Sequence, residues 1–189
     1  MRKTITFIMM LCFTLSYGQN QIIETGLNIT SFSSKGDNVD LNYSTGSGIH
    51  FFASAIEVLY DNLWVGIVFD EFNSHLDAEQ INYKTNYLGL NLKYSNTLNS
   101  SLNLNTDLSA QKMISGTLNS SDQLKELSAN EYFKGLLITP SLGIDYHITQ
   151  SRAFDTYLGY RFSYSLNPLN KSDITTSYFS HRIGLIIKY

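Results

Sequence analysis

Four histidines, at positions 50, 75, 147 and 181, and the dipeptide Ser180-His181 are the residues of this sequence that invite a catalytic or metal-binding interpretation. Serine or an acidic residue paired with histidine supports nucleophilic catalysis, and two closely spaced histidines on one element can bind zinc. No two of the four histidines are close enough in sequence to bind zinc from one element. Adjacent residues of a strand point to opposite faces, so Ser180 and His181 cannot act on each other. The pattern therefore predicts no catalytic residue, no metal site and no cofactor.

The elements that must position any functional side chain are strands, because apolar and polar residues alternate along the chain. In 88–94 the even positions hold leucine or tyrosine and the odd positions hold glycine, asparagine or lysine. The segments 101–108 and 182–189 alternate in the same way. A period of two is typical of a strand with one apolar and one polar face. Eight such segments are predicted: 22–32, 48–60, 63–72, 85–95, 98–110, 135–147, 153–164 and 178–189.

The links between these segments also alternate in length. Short links at Asp61-Asn62, 95–97 and 148–152 are separated by long polar stretches at 33–47, 73–84, 111–134 and 165–177. Short turns at one end and long loops at the other are typical of an outer-membrane barrel whose short turns are periplasmic. We therefore predict an all-β fold, an eight-stranded antiparallel up-and-down transmembrane β-barrel. The main rival is a soluble lipocalin-like barrel, which requires an apolar interior and a polar outer wall.

Two local features qualify this strand map. Ser120-x-x-Gln123 is a capping-box pattern, which predicts a short surface helix within 120–134. Pro140 falls inside the sixth strand, where it lacks a ladder donor, and predicts a β-bulge.

The charged residues fix which face of each strand is internal. An arginine at position 182, near the middle of the apolar band, would cost ~2–4 kcal/mol if it faced lipid. Alternation then directs ten charged residues into the lumen: Glu24, Glu57, Asp70, Lys93, Asp107, Asp145, Asp155, Arg161, Arg182 and Lys188. We predict that Asp145, Asp155, Arg161 and Arg182 form a structural charge network in a lumen that side chains fill. Tyr60, Tyr94, Tyr146 and Tyr189 have the opposite parity and predict an outward aromatic girdle.

The N-terminus has the pattern of a secretory signal. Arg2 and Lys3 precede the apolar run 5–15, and Ser16-Tyr17-Gly18 supplies small residues for cleavage before Gln19. We expect 1–18 to be a cleaved signal peptide and 19–189 to be the barrel domain; an uncleaved anchor is the alternative. The signal carries two of the 13 basic residues and none of the 16 acidic ones. The acidic remainder argues against nucleic acid as a partner.

The end of the chain carries the strongest resemblance to a known family. The sequence Arg182-x-Gly184-x-x-Ile187-x-Tyr189 resembles the C-terminal signal of outer-membrane proteins: a polar residue, glycine, a hydrophobic residue and a terminal aromatic. The mature chain resembles the small OmpA/OmpX-like outer-membrane β-barrel family, especially its Bacteroidetes form. The matching stretches are 24–28, 86–88 and 142–146. The resemblance implies an outer-membrane location, contact with outer-membrane lipid, and recognition of Arg182, Gly184, Ile187 and Tyr189 by the barrel-assembly machinery.

Three classes of function follow from this interpretation. The first is a closed barrel, without catalysis, with a structural role or an unidentified ligand bound by its external loops. The second is a narrow porin or an accessory to secretion or transport. The third is an outer-membrane lipid-modifying enzyme, with His181 as the nearest candidate residue. Lumen charges of both signs favour the first class over the second, because opposed charges plug a narrow barrel.

Overall fold

The computed structural model describes residues 21–36, 39–42, 45–57, 62–76, 81–120, 123–127, 136–166 and 175–189. The predicted signal peptide, 1–18, lies outside these ranges. No helix in the described part of the chain is long and apolar enough to span a membrane. The described ranges contain ten strands: β1 (Ile22–Gly36), β2 (Val39–Asn42), β3 (Gly46–Glu57), β4 (Leu63–Leu76), β5 (Ile81–Asn99), β6 (Leu102–Ser120), β7 (Gln123–Leu127), β8 (Leu137–Gln150), β9 (Asp155–Tyr164) and β10 (Thr175–Lys188).

Eight of these strands form a closed antiparallel barrel, which confirms the predicted fold class. The order is β10-β9-β8-β6-β5-β4-β3-β1, and β1 pairs with β10 to close the wall. The closing register joins Ile22 to Lys188 and continues without a shift to Lys35 and Thr175. Consecutive barrel strands are neighbours throughout, which is the up-and-down arrangement.

The two remaining strands are short and lengthen the wall at the end with the longer connections. β2 pairs with residues 33–36 of β1, and β7 pairs with residues 116–120 of β6; we call this end of the barrel the upper end. Much of the sequence that we expected to form long loops is therefore strand. β4 continues to Leu76, β5 begins at Ile81 and β6 continues to Ser120. The apolar alternation stops where the outer wall becomes polar, but the ladder hydrogen bonds continue beyond that point.

The predicted helix and the predicted bulge are both wrong for the described residues. Residues 123–127, within the expected helix 120–134, form β7 instead, since the ladder along β6 satisfies their backbone groups. Pro140 pairs with Leu108 in a regular register. The Ile138 carbonyl accepts from Leu166 N on the β9 side, and even-numbered neighbours share that side. The β8–β9 register stops at Ser141, and the missing donor of Pro140 leaves a gap between that register and the Ile138–Leu166 hydrogen bond.

Candidate functional site

The barrel is apolar outside and polar inside. Leu90, Leu142 and Ile183 are 61%, 54% and 54% exposed on the outer wall, whereas Lys93 and Arg161 are 0% and 1% exposed within. A soluble lipocalin-like barrel would require the reverse. Side chains of this kind on a closed wall are what a lipid bilayer demands, because hydrocarbon solvates neither charges nor open strand edges.

The centre of the interior is a layer of charged side chains around Glu24 of β1. The Glu24 carboxylate lies 2.5 Å from Lys93 Nζ, 3.1 Å from Arg182 Nη2 and 3.6 Å from Arg161 Nη2. His50 Nε2 is 3.8 Å from the same carboxylate. One residue of the first strand thus contacts cations on β5, β9 and β10, and so connects distant parts of the wall across the lumen.

Arg161 is the largest fully buried side chain of the described residues. Its guanidinium contacts Asp145 at 2.5 Å and Asp107 at 3.3 Å, in addition to Glu24. Arg161 also lies directly opposite Arg182 in the β9–β10 register. Two like charges at opposite positions repel each other, so this pair requires the carboxylates that surround it.

A second part of the layer is organised by Asp70 of β4. One Asp70 oxygen accepts from Asn28 Nδ2 at 2.9 Å and lies 2.7 Å from His50 Nδ1, and the other accepts from Gln111 Nε2 at 2.6 Å. Arg182 Nη1 lies 2.9 Å from His50 Nδ1, which joins this part to the Glu24 part. The sequence analysis did not assign His50 a place in the network. Its even position on β3, like those of the buried Phe52 and Ser54, could have placed it on the inward face.

The four residues of the predicted charge network are not all together. Asp145, Arg161 and Arg182 lie in the central layer. Asp155 does not: its carboxylate is 3.9 Å from His147 Nε2, and both side chains are partly exposed at the short-turn end. The expectation that Asp155 belongs to the network is therefore wrong, because its position at the first residue of β9 places it beyond the reach of Arg161.

Other predicted lumen residues are placed as follows. Lys188 lies near the same end as Asp155, with its Nζ 4.7 Å from the Tyr157 ring centroid and 5.3 Å from that of Trp64. The side chain of Glu57 lies outside the described residues. Within the described ranges, no group of three or more histidine, cysteine, aspartate or glutamate residues is placed to hold a metal ion.

Two apolar clusters also occupy the interior, beside the charged residues that the sequence directs there. The cluster nearer the long connections contains Phe72, Tyr87, Met113, Leu137 and Tyr178. The cluster nearer the short turns contains Ile22, Phe52, Trp64, Val68 and Ile186, with Tyr157 packed against it. The alternation of apolar and polar residues did not predict either cluster, because its members occupy the same inward positions as the charged residues.

The space left in the lumen is small. A cavity of about 20 Å³ lies between the charged layer and the upper apolar cluster, with His50, Asp70, Phe72, Tyr178 and Arg182 among its lining residues. A volume of this size holds about one water molecule. Side chains therefore fill the middle of the barrel.

The residues of the C-terminal pattern lie along the closing seam. Arg182 points inward, and the Tyr189 side chain is 50% exposed. Gly184 lies opposite Gly26 of β1, and a Cβ added at Gly184 would be 2.3 Å from the Thr25 carbonyl oxygen. A side chain at position 184 would thus push the first and last strands apart. Ile187 lies on β10 between Gly184 and Tyr189, and pairs with Ile23 of β1.

The outer wall has a sharp polar boundary near its long-connection end. Glu71, Asn86 and Ser115 lie in register across β4, β5 and β6. On β4 and β5, Phe69 and Leu88 occupy the next outward positions below this row, whereas on β6 the outward Lys112 lies opposite Leu88. The outward residues above the row are polar. Three of the four predicted girdle tyrosines, Tyr94, Tyr146 and Tyr189, are exposed on the wall; Tyr60 lies outside the described residues.

His181 also lies on the outer wall, as its parity predicts. Its Nδ1 is 2.6 Å from the Tyr160 hydroxyl, and its ring is 5.4 Å from that of Phe162 and 6.3 Å from that of Phe179, centroid to centroid. Ser180 is buried on the opposite face. The histidine therefore belongs to an outward aromatic group and does not face Ser180.

Comparison with known proteins gives structural matches only. No family model and no curated protein matches the sequence. Neisserial surface protein A has a TM-score of 0.59 at 11% identity, over 88% of this chain and 97% of that one. Ail, the attachment invasion locus protein of Yersinia pestis, has a TM-score of 0.51 at 13% identity, over 89% and 99%. The N-terminal β-barrel domain of Pseudomonas aeruginosa OprF has a TM-score of 0.50 at 13% identity, over 91% and 99%.

At these identities the matches establish the fold alone. The apolar outer wall is a separate observation, and it indicates a barrel surrounded by lipid. The narrower resemblance to the Bacteroidetes form stays a prediction. The chain has the fold of the small OmpA/OmpX-like outer-membrane barrels, and its apolar outer wall suits a lipid bilayer.

Proposed function

We propose that this protein is a closed barrel without catalytic activity whose role is structural or depends on ligand binding by its external end. The observation that carries the proposal is the filled lumen. A charged layer that includes Glu24, Arg161 and Arg182 lies beside two apolar clusters, and a cavity of about 20 Å³ remains. Ions cannot pass such a layer without displacing buried, paired side chains.

The external end supports the binding part of the proposal. β5 and β6 each contain 19 residues, which is about 63 Å of strand. At a tilt of ~45° such a strand rises about 45 Å, against an apolar band of ~25 Å. The paired strands therefore project far beyond the lipid and hold a rigid surface there, and such surfaces often carry binding residues. Ail, the attachment invasion locus protein of Yersinia pestis, has the same fold.

Single-channel recording on refolded protein in planar bilayers tests the closed lumen. We expect no steady conductance. The matched control is Leu90→Ala, a lipid-facing change that leaves the lumen intact. Steady conductance at the level of an open pore, in both the wild type and this control, would overturn the proposal in favour of a narrow porin or transport accessory.

The enzyme alternative has its own test. His181→Ala removes the histidine of the Ser180-His181 dipeptide. We expect lipid A composition and envelope proteolysis in cells carrying this variant to equal those of the wild type. A change in either activity at equal protein level would support the outer-membrane enzyme.

We also propose that Arg182, Gly184, Ile187 and Tyr189 serve as the signal for the barrel-assembly machinery. Their placement supports this: they lie along the strand that closes the barrel, and Tyr189 is exposed at its end. Replacement of Tyr189 by alanine should lower the amount assembled in cells, whereas refolding of the purified protein should be unchanged. Equal assembly in cells would contradict the proposal.

A further inference from the structure

Two adjoining cavities lie on the outer wall at the polar boundary. The lower cavity, about 440 Å³, is lined by the apolar side chains Leu27, Ile29, Ile49 and Ile183, and at its polar edge by Ser47, Glu71 and Asn73. The upper cavity, about 480 Å³, is lined by polar side chains that include Asn82 and Lys84. The two share Ser47 and Asn73, so they form one continuous groove, which we call the wall groove. Each volume falls in the range of ordinary ligand sites.

The lower half of the wall groove faces hydrocarbon. Leu27, Ile29, Ile49 and Ile183 are 48–65% exposed and belong to the outward apolar wall. Asn28 and Gly48 also line this half, at the place where the regular β3–β4 register has ended. An acyl chain can lie against these four apolar side chains, while the Glu71 carboxylate at the edge of the recess is paired with Lys84.

The upper half of the groove offers hydrogen-bonding groups and one lysine. Lys84 is half-exposed, and its Nζ is held 2.6 Å from Glu71 Oε2 at the base of the polar half. Asn73 Nδ2 donates to the Ser47 carbonyl at 2.5 Å, and His75 Nδ1 lies 2.7 Å from Asn82 Oδ1. Amides, hydroxyls and a fixed ammonium group suit a headgroup that carries both hydroxyls and phosphate.

We propose that the wall groove binds one glycolipid of the outer leaflet. Its acyl chain would lie along the lower half, and its sugar-phosphate headgroup would contact Asn73, Asn82 and Lys84. The decisive feature is that the polar boundary of the wall crosses the groove between Ile49 and Asn73. Only an occupant that is itself apolar at one end and polar at the other matches both halves, and lipids of the surrounding membrane have that form.

The proposal is tested by native mass spectrometry of refolded protein released from detergent in the presence of diphosphorylated lipid A. Phosphatidylethanolamine serves as the competing lipid. We expect one lipid A per chain to survive in the wild type, in preference to phosphatidylethanolamine. Ile49→Trp fills the lower half and Lys84→Gln removes the ammonium group. Each should reduce retention about tenfold, as expected for the loss of one charge-assisted hydrogen bond or an equivalent packing surface.

Two matched variants complete the design. Ile144→Trp makes the same change at an outward isoleucine of similar exposure on β8, and Lys112→Gln makes it at an outward lysine of β6 outside the groove. Both should retain lipid A as the wild type does. Heat-dependent mobility on SDS gels verifies that every variant is folded. Equal retention by all four variants, or equal retention of the two lipids by the wild type, would overturn the proposal.

Discussion

Replacement of Arg161 by methionine should destabilise the barrel strongly. Methionine keeps an unbranched side chain of similar length, so the change mainly removes the charge. It leaves Asp145, Asp107 and Glu24, which lie 2.5, 3.3 and 3.6 Å from the guanidinium, without their shared partner. Removal of one partner of a buried ion pair typically costs 3–5 kcal/mol, and we expect a loss of about 4 kcal/mol in the free energy of unfolding.

The control for this experiment is Asp155→Asn. Asp155 carries a negative charge and was assigned by sequence to the same network, but it is partly exposed and its carboxylate lies 3.9 Å from His147 Nε2. An exposed pair of this kind contributes about 0–1 kcal/mol. The two variants thus separate the charged layer found in the structure from the network expected from sequence.

The assay is urea unfolding in lipid vesicles, followed by the fluorescence of Trp64. This is the only tryptophan of the chain, and it is 5% exposed inside the barrel. The double variant Arg161→Met/Asp145→Leu should lose less than the sum of the two single variants, because neither charge is then left alone. An Arg161→Met barrel within 1 kcal/mol of the wild type, or an Asp155→Asn barrel equally destabilised, would refute the reasoning.

Three further predictions concern the wall and the chain terminus. Gly184→Ala should lower the yield of heat-resistant folded barrel on SDS gels, because the new Cβ would lie 2.3 Å from the Thr25 carbonyl oxygen; a normal yield would contradict this account of the seam. Leu90→Arg should cost ~2–4 kcal/mol in vesicle unfolding, whereas Leu98→Arg, near the short turn, should cost about 0–1. Equal costs would mean that Leu90 does not face the hydrocarbon. Intact-mass measurement of the exported protein should give Gln19 as its first residue; a mass that retains residues 1–18 would support the uncleaved anchor.

The sidedness of the barrel was predictable because it depends on a local pattern. Leu88, Leu90 and Leu92 alternate with polar residues, and a wall between lipid and a polar lumen permits only one parity. The strand ends were not predictable in this way. Above Glu71 and Asn86 the outward residues become polar, so the alternation of hydropathy disappears although the strands continue.

The membership of the charged layer was only partly predictable. Parity placed Arg161 and Arg182 inside, but their partners are set by the height of each residue along tilted strands. That height depends on the register of the closed wall, which joins residues far apart in sequence. Asp155 was therefore assigned wrongly, and His50 was overlooked because a lone histidine on a strand gives no signal of its own.

The position of Glu24 on the first strand has a consequence for biogenesis. Its carboxylate contacts Lys93, Arg161 and Arg182 only when the barrel is closed. Arg182 belongs to β10, the strand that is synthesised last. The β1–β3 hairpin taken alone leaves the Glu24 carboxylate without these three cations, so it gains little by entering the bilayer early. Insertion is thereby tied to the arrival of the final strand, and a truncated chain should remain outside the membrane, exposed to periplasmic proteases.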